Sequence, residues 1–84
     1  MATLEGHEND VLSLAVLEGG RLASGSYQMI KIWDLATGTC QATLQGHQDT
    51  VRSLAVLEGG RLASGCDDGT IKTWDPALSD VLTK

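Results

Sequence analysis

The chain has 84 residues, with 11 Asp and Glu against 6 Lys and Arg and a formal net charge of -5. Proteins that bind nucleic acid or anionic membranes usually carry a basic face, because neutralising phosphates drives that affinity. This sequence shows none, so we expect neither partner. Its longest apolar run, residues 12–17, is too short to span a bilayer, and its N-terminus lacks the basic region of a signal peptide. We therefore expect a cytoplasmic protein.

The first predicted elements are three short strands separated by glycine-rich turns. Residues 11–17 form a first apolar strand, and Gly19-Gly20 follows it. Because glycine accepts positive φ, this pair suits both positions of a tight hairpin turn. Residues 21–25 and 29–33 then form the second and third strands, and no apolar stripe persists long enough for a helix.

A looser turn at residues 36–38 leads to a fourth predicted strand, residues 39–44. The second half of the chain has the same order of strands. Between its second and third strands lies Asp68-Gly69, a dipeptide typical of a type I′ hairpin turn.

The sequence is an internal repeat. Residues 13–25 and 53–65 are identical at an offset of 40. Farther along, Ile30 aligns with Ile71 at an offset of 41. The first repeat has therefore lost one residue, or the second has gained one, between positions 25 and 30.

Each repeat carries a Gly-His pair near its start and a Trp-Asp pair near its end. These pairs are Gly6-His7, Gly46-His47, Trp33-Asp34 and Trp74-Asp75. With four short strands per repeat, they resemble the WD-repeat β-propeller family. The resemblance implies an all-β fold of two four-stranded antiparallel WD-repeat blades that complete a β-propeller by oligomerisation.

The same resemblance divides the chain into two repeats. The first, residues 1–44, begins with the remnant of an outer strand at 1–4. The second, residues 45–84, ends with a partial outer strand at 80–84. In this family one sequence repeat straddles two blades, so both terminal segments align with one structural position.

Two blades alone would leave two apolar outer faces in water. If each exposes roughly several hundred Å², at about 25 cal/mol per Å², the loss approaches the whole stability of a small domain. We therefore expect the chain to bind itself. A tetramer of eight blades is the first expectation, and a trimer of six blades is the second.

The family resemblance also implies a buried hydrogen-bonded tetrad in each blade. It comprises the Gly-His histidine, a second-strand serine, the turn aspartate and the third-strand tryptophan. The positions that match are His47, Ser64, Asp68 and Trp74, with an incomplete set of His7, Ser24 and Trp33. Buried polar groups need partners, so this is a structural network and not a hydrolase triad.

The first repeat lacks the tetrad aspartate and the turn glycine. The segment Tyr27-Gln28-Met29 stands at this place. One interpretation is a drifted, weaker blade, with the Gln28 carbonyl accepting from His7. The other is a specialised loop in which Tyr27, Gln28 and Met29 bind a peptide or protein partner.

No cofactor, metal site or catalytic residue is expected. Cys40 and Cys66 lack the close paired spacing of zinc ligands and are expected to be reduced thiols. The sequence favours a non-enzymatic interaction scaffold. The alternatives are a fragment or engineered piece of a longer WD-repeat protein, and a propeller that binds a small molecule or sugar.

Overall fold

The computed structural model describes residues 3–75, which form an all-β antiparallel fold. Six strands lie in this part of the chain, and each pairs with its sequence neighbours. They are β1 (Ser13–Leu17), β2 (Arg21–Gly25), β3 (Tyr27–Asp34), β4 (Thr39–Val56), β5 (Leu62–Cys66) and β6 (Ile71–Trp74), with a 3-10 turn at Glu58–Gly60. Within these residues, no helix has the length and apolar character needed to cross a membrane.

The long strand β4 belongs to two blades. Its beginning pairs with β3, from Asp34 opposite Thr39 onward, and its end pairs with β5. The first blade therefore contains β1, β2, β3 and the beginning of β4. The second contains the end of β4, β5 and β6. Its predicted outer strand at 80–84 lies outside the described residues.

The predicted outer-strand remnant at 1–4 is described only from Thr3. Thr3 and Leu4 lie in no strand. In a propeller, an outer strand pairs with the third strand of the preceding blade. Among the described residues, no strand of a preceding blade lies beside this segment.

Glycine conformation sets the β1–β2 hairpin. Gly19 and Gly20 have φ of 77° and 71°, which confirms the positive φ predicted for this pair. The equivalent Gly59 and Gly60 both have φ of 75°. A side chain at these positions would strain the backbone, so the Gly-Gly pair explains the same turn in both repeats.

The β5–β6 turn differs from the prediction. Gly69 N donates to the Cys66 carbonyl at 3.1 Å, and Cys66 N donates to the Thr70 carbonyl at 3.0 Å. The loop between these paired residues, 67–69, is three residues long, and within it Gly69 has the positive φ, 91°. The predicted type I′ turn is therefore wrong, because a three-residue loop favours a type I turn followed by one left-handed residue.

The β2–β3 turn is one residue shorter. Ser26 N donates to the Met29 carbonyl at 2.9 Å, which leaves Tyr27 and Gln28 as a two-residue loop. Tyr27 also pairs with Thr50, so β3 begins at Tyr27, two residues earlier than predicted, and its first two residues form this turn. The first repeat is therefore one residue shorter than the second because its β2–β3 loop is one residue shorter than the β5–β6 loop.

The hydrophobic core lies between the two blades. We call one face of each blade the tetrad face: it bears Ser24 and Trp33 in the first blade and Ser64 and Trp74 in the second. The other face of each blade is the opposite face. The tetrad face of the second blade packs on the opposite face of the first. The cluster contains Ala15, Leu17, Ala23, Ile30, Ile32, Ala42 and Leu44 of the first blade and Val51, Leu54, Leu62 and Trp74 of the second.

Candidate functional site

In the second blade, three predicted tetrad residues meet at one buried hydroxyl. The Ser64 side chain accepts from Trp74 Nε1 at 2.8 Å and lies 2.6 Å from His47 Nε2. Indole is only a donor, so the single Ser64 proton is free for His47. A contact with the Lys72 carbonyl is longer, at 3.4 Å. Because the distance to His47 is the shorter one, the Ser64 hydroxyl donates its proton to His47 Nε2. Nε2 is therefore the acceptor nitrogen of the imidazole, and the ring's own proton is on Nδ1.

Asp68 joins this network through Thr70. The Thr70 hydroxyl lies 3.4 Å from His47 Nδ1 and 2.6 Å from the Asp68 carboxylate. Thr70 N also donates to that carboxylate at 3.0 Å. These bonds from Thr70 lower the pKa of Asp68. Donors therefore run in one direction, from Trp74 through Ser64, His47 and Thr70 to Asp68.

The first blade contains a shorter version of the network. Ser24 Oγ lies 2.6 Å from His7 Nε2 and accepts from Trp33 Nε1 at 2.8 Å. The Gln28 amide donates instead to the Gln48 carbonyl, at 3.2 Å. Gln28 therefore does not take the place that Asp68 and Thr70 occupy in the second blade.

The pKa of both histidines is lowered, which favours the neutral imidazole. Burial is the main cause of the lowered pKa of His7 and His47, and the nearby charges of Lys31 and Lys72 add to it. Neutral imidazole has one donor and one acceptor nitrogen, as the directional chain requires.

The predicted loop Tyr27-Gln28-Met29 borders two clefts at one end of the blades. Tyr27 is 46% exposed. One cleft, of about 380 Å³, lies between Tyr27 and residues 8–10, with Leu12 and Thr50 on its walls. The other, of about 250 Å³, lies among His7–Asn9 and Ser26–Met29. A peptide side chain could enter either cleft.

Two apolar surfaces face solvent. On the tetrad face of the first blade, Leu14 and Val16 are 61% and 73% exposed. On the opposite face of the second blade, Ile71 is 78% exposed. Each of these side chains lies on an outer face of the two-blade unit, away from the core between the blades.

One group of described residues has metal-binding atom types close together. The ligand atoms of His47, Cys66 and Asp68 lie within 4.8 Å of one another. Asp68 accepts hydrogen bonds from Thr70 and Cys66. The hydrogen-bonded chain already accounts for this proximity, so we assign no ion here. Cys40 and Cys66 are free thiols.

Antiparallel blades of this kind, each with a histidine–serine–tryptophan network, define a protein of the β-propeller repeat class. The family model of the WD domain, G-beta repeat, matches residues 1–34 and 38–75. The chain therefore belongs to the WD40 family.

The chain is also similar to solved structures. The computationally designed Ika4 and Ika8 proteins each superpose with a TM-score of 0.80 at 34% sequence identity, over 90% of this chain. The chain spans about half of Ika4, 47%, and about a quarter of Ika8, 24%. No curated protein matches the chain.

Proposed function

We propose that this chain is a non-enzymatic WD-repeat interaction scaffold that completes a closed propeller by self-association. The observation that carries the proposal is the unequal burial of equivalent residues. Ile30 is fully buried between the blades, whereas its repeat equivalent Ile71 is 78% exposed. On the tetrad faces, Val51 of the second blade is fully buried, whereas its repeat equivalent Val11 of the first blade is 47% exposed.

Each exposed face is thus the repeat equivalent of a face that is buried inside the same chain. The free tetrad face of the first blade corresponds to the one that the second blade buries. The free opposite face of the second blade corresponds to the one that the first blade buries. A second copy therefore offers the matching surface for either face.

Burial of these faces provides the driving force. Apolar surface removed from water contributes about 25 cal/mol per Å², so several hundred Å² is worth several kcal/mol per contact. A contact between two different faces repeats from copy to copy and closes into a ring when the rotation permits.

Four chains, giving eight blades, are the preferred ring. By length, four copies of the chain match Ika8, of which it covers 24%, and two copies match Ika4, of which it covers 47%. Three chains, giving six blades, also fall within the usual range of blade numbers.

The completed ring would act as a rigid platform for a peptide or protein partner. The two clefts beside Tyr27 and the exposed loop at residues 27–29 supply the contact surface. The histidines and serines that resemble catalytic groups are engaged in the hydrogen-bonded networks, which supports a binding role rather than catalysis.

Native mass spectrometry at micromolar concentration, with light scattering, tests the proposal. We expect one species at four times the 8.9 kDa chain mass, or at three times this mass for the six-blade ring. A folded monomer with no larger species would refute self-completion. A broad distribution of sizes would instead indicate a fragment of a longer propeller.

A further inference from the structure

We infer that neighbouring copies join head to tail in the register of the internal blade contact, with Val11 of one copy seated at Gly65 of the next. This inference rests on the proposed self-association and specifies its geometry. Its evidence is the way in which Val51 of the second blade meets the first blade.

Val51 is held by three contacts with the first blade. Its backbone N–H donates to the Ser26 carbonyl at 3.0 Å, and its own carbonyl accepts from Ser13 Oγ at 3.4 Å. Its side chain packs on the bare backbone of Gly25, since a Cβ built there would meet Ser13 Oγ and would be 2.8 Å from Val51 Cγ1. Gly25 therefore forms a notch that Val51 fills.

The second blade carries the same notch on its free face. The equivalents of Ser13, Gly25 and Ser26 are Ser53, Gly65 and Cys66. A Cβ built on Gly65 would meet Ser53 Oγ, at 2.6 Å, and among the described residues no apolar group takes the place that Val51 has at Gly25. An open cavity of about 160 Å³ lies here, with Gly65 and Ile71 among its lining residues.

Val11 is the side chain that fits this notch. It is the repeat equivalent of Val51 and lies on the free face of the first blade, 47% exposed. In the inferred contact, the Val11 N–H donates to the Cys66 carbonyl and the Val11 carbonyl accepts from Ser53 Oγ. The identity of residues 13–25 and 53–65 makes the receiving surfaces nearly the same.

A two-fold contact between like faces fits poorly. If two copies met through the opposite faces of their second blades, one Gly65 notch would lie against the other. Both notches would stay unfilled, and the packing contacts they could make would be lost. Two tetrad faces would bring together Leu14, Val16 and Val11 from both copies with no notch to receive them. The observed shapes therefore favour unlike faces.

Two complementary variants test this geometry. Val11→Asp blocks the tetrad face of the first blade, and Ile71→Asp blocks the opposite face of the second. Both side chains are substantially exposed in the single chain, so the fold should tolerate the changes. Leu35→Asp is the matched control, because Leu35 is 49% exposed in the turn between β3 and β4 and so lies outside the strands of the two faces.

We expect each blocked variant alone to be a monomer of about 8.9 kDa, and an equimolar mixture to give a 1:1 heterodimer in native mass spectrometry. The mixture stops at two chains because its outer faces are both blocked. The Leu35→Asp control should assemble as the unmodified chain does. If a blocked variant unfolds, β-sheet circular dichroism gained on mixing provides the same readout.

Other outcomes separate the two proposals. Homodimers of either blocked variant would overturn the head-to-tail register while leaving self-association intact. Full assembly of either variant alone would also overturn it. A monomeric unmodified chain would refute the proposed function itself.

Discussion

The indole nitrogen of Trp74 lies 2.8 Å from the Ser64 hydroxyl oxygen, the same distance that separates Trp33 from Ser24. The two networks therefore share a core and differ beyond the histidine. In the second blade, Thr70 and Asp68 extend the chain of donors. This difference allows the extension and the core to be tested separately.

Ser64→Ala should lower the free energy of unfolding by about 1–3 kcal/mol. Ser64 is 1% exposed, and its loss leaves Trp74 Nε1 and His47 Nε2 without their common partner. Urea unfolding followed by circular dichroism measures the change, at one protein concentration because assembly makes stability concentration-dependent. Thr37→Ala, at an exposed turn position, is the control and should change stability by less than about 0.5 kcal/mol.

Replacement of residues 27–29 by Asp-Asp-Gly-Thr, the residues of positions 67–70, should stabilise the first blade by roughly 1–3 kcal/mol. The graft removes the positive φ of Gln28, 64°, and gives His7 an acceptor chain like that of His47. Differential scanning calorimetry measures the gain in melting temperature.

Gln28→Gly is the control for that graft, because it relieves the backbone strain without supplying a carboxylate. Its gain should stay below about 1 kcal/mol, since glycine also increases the entropy of the unfolded chain. A graft no more stable than the original chain would contradict the stabilising role of Thr70 and Asp68.

Stability should decrease as the pH falls from 7 toward 5. Burial places the folded pKa of His7 and His47 below the ordinary value of 6.5. The unfolded chain therefore takes up protons first, and the stability present above the unfolded pKa is lost as the pH falls through this window toward the folded pKa. Melting temperatures across this range measure the slope.

The double variant His7→Gln with His47→Gln identifies the source of that slope. It will be less stable at every pH because both networks lose their imidazole, but its melting temperature should vary less between pH 7 and 5. An unchanged slope would assign the pH dependence to other groups. Asp68, with a lowered pKa, acts in the same direction only at a more acidic pH, below its unfolded value.

The Arg52–Asp67 ion pair should contribute little to the free energy of unfolding, despite its two short bonds of 2.9 and 2.7 Å. Its side chains are 60% and 38% exposed, so water and salt screen them. A double-mutant cycle with Arg52→Ala and Asp67→Ala measures the coupling. A strong coupling that did not weaken in high salt would show that the pair is shielded, for example by a neighbouring copy.

The fold class follows from the sequence because its determinants are local. Strand-length apolar runs and the Gly19-Gly20 pair specify hairpins, and the repeat shows that the hairpins recur. The resemblance to the WD-repeat family then predicted that these strands form four-stranded blades. The β5–β6 turn was mispredicted because Asp68-Gly69 favours a type I′ turn only in a two-residue loop, and the loop length depends on pairing between Cys66 and Thr70.

The hydrogen-bonded network was harder to foresee at its acidic end. The family resemblance named His47, Ser64, Asp68 and Trp74, but gave no sign that Thr70 stands between the histidine and the carboxylate. Thr70 follows the turn glycine immediately, so its hydroxyl could have been considered as a local partner for Asp68. Its distance from His47 depends on packing between distant segments, which the spacing of residues does not encode.

The continuous strand β4 also makes the two blades mechanically inseparable. Its beginning is the edge strand of the first blade, paired with β3, and its end pairs with β5 in the second blade. Separation of the beginning of β4 from β3 would therefore transmit force along the continuous backbone to the pairing between β4 and β5. The chain should therefore melt as one cooperative unit, and a cut near residue 46, between the two ladders, would weaken both blades at once.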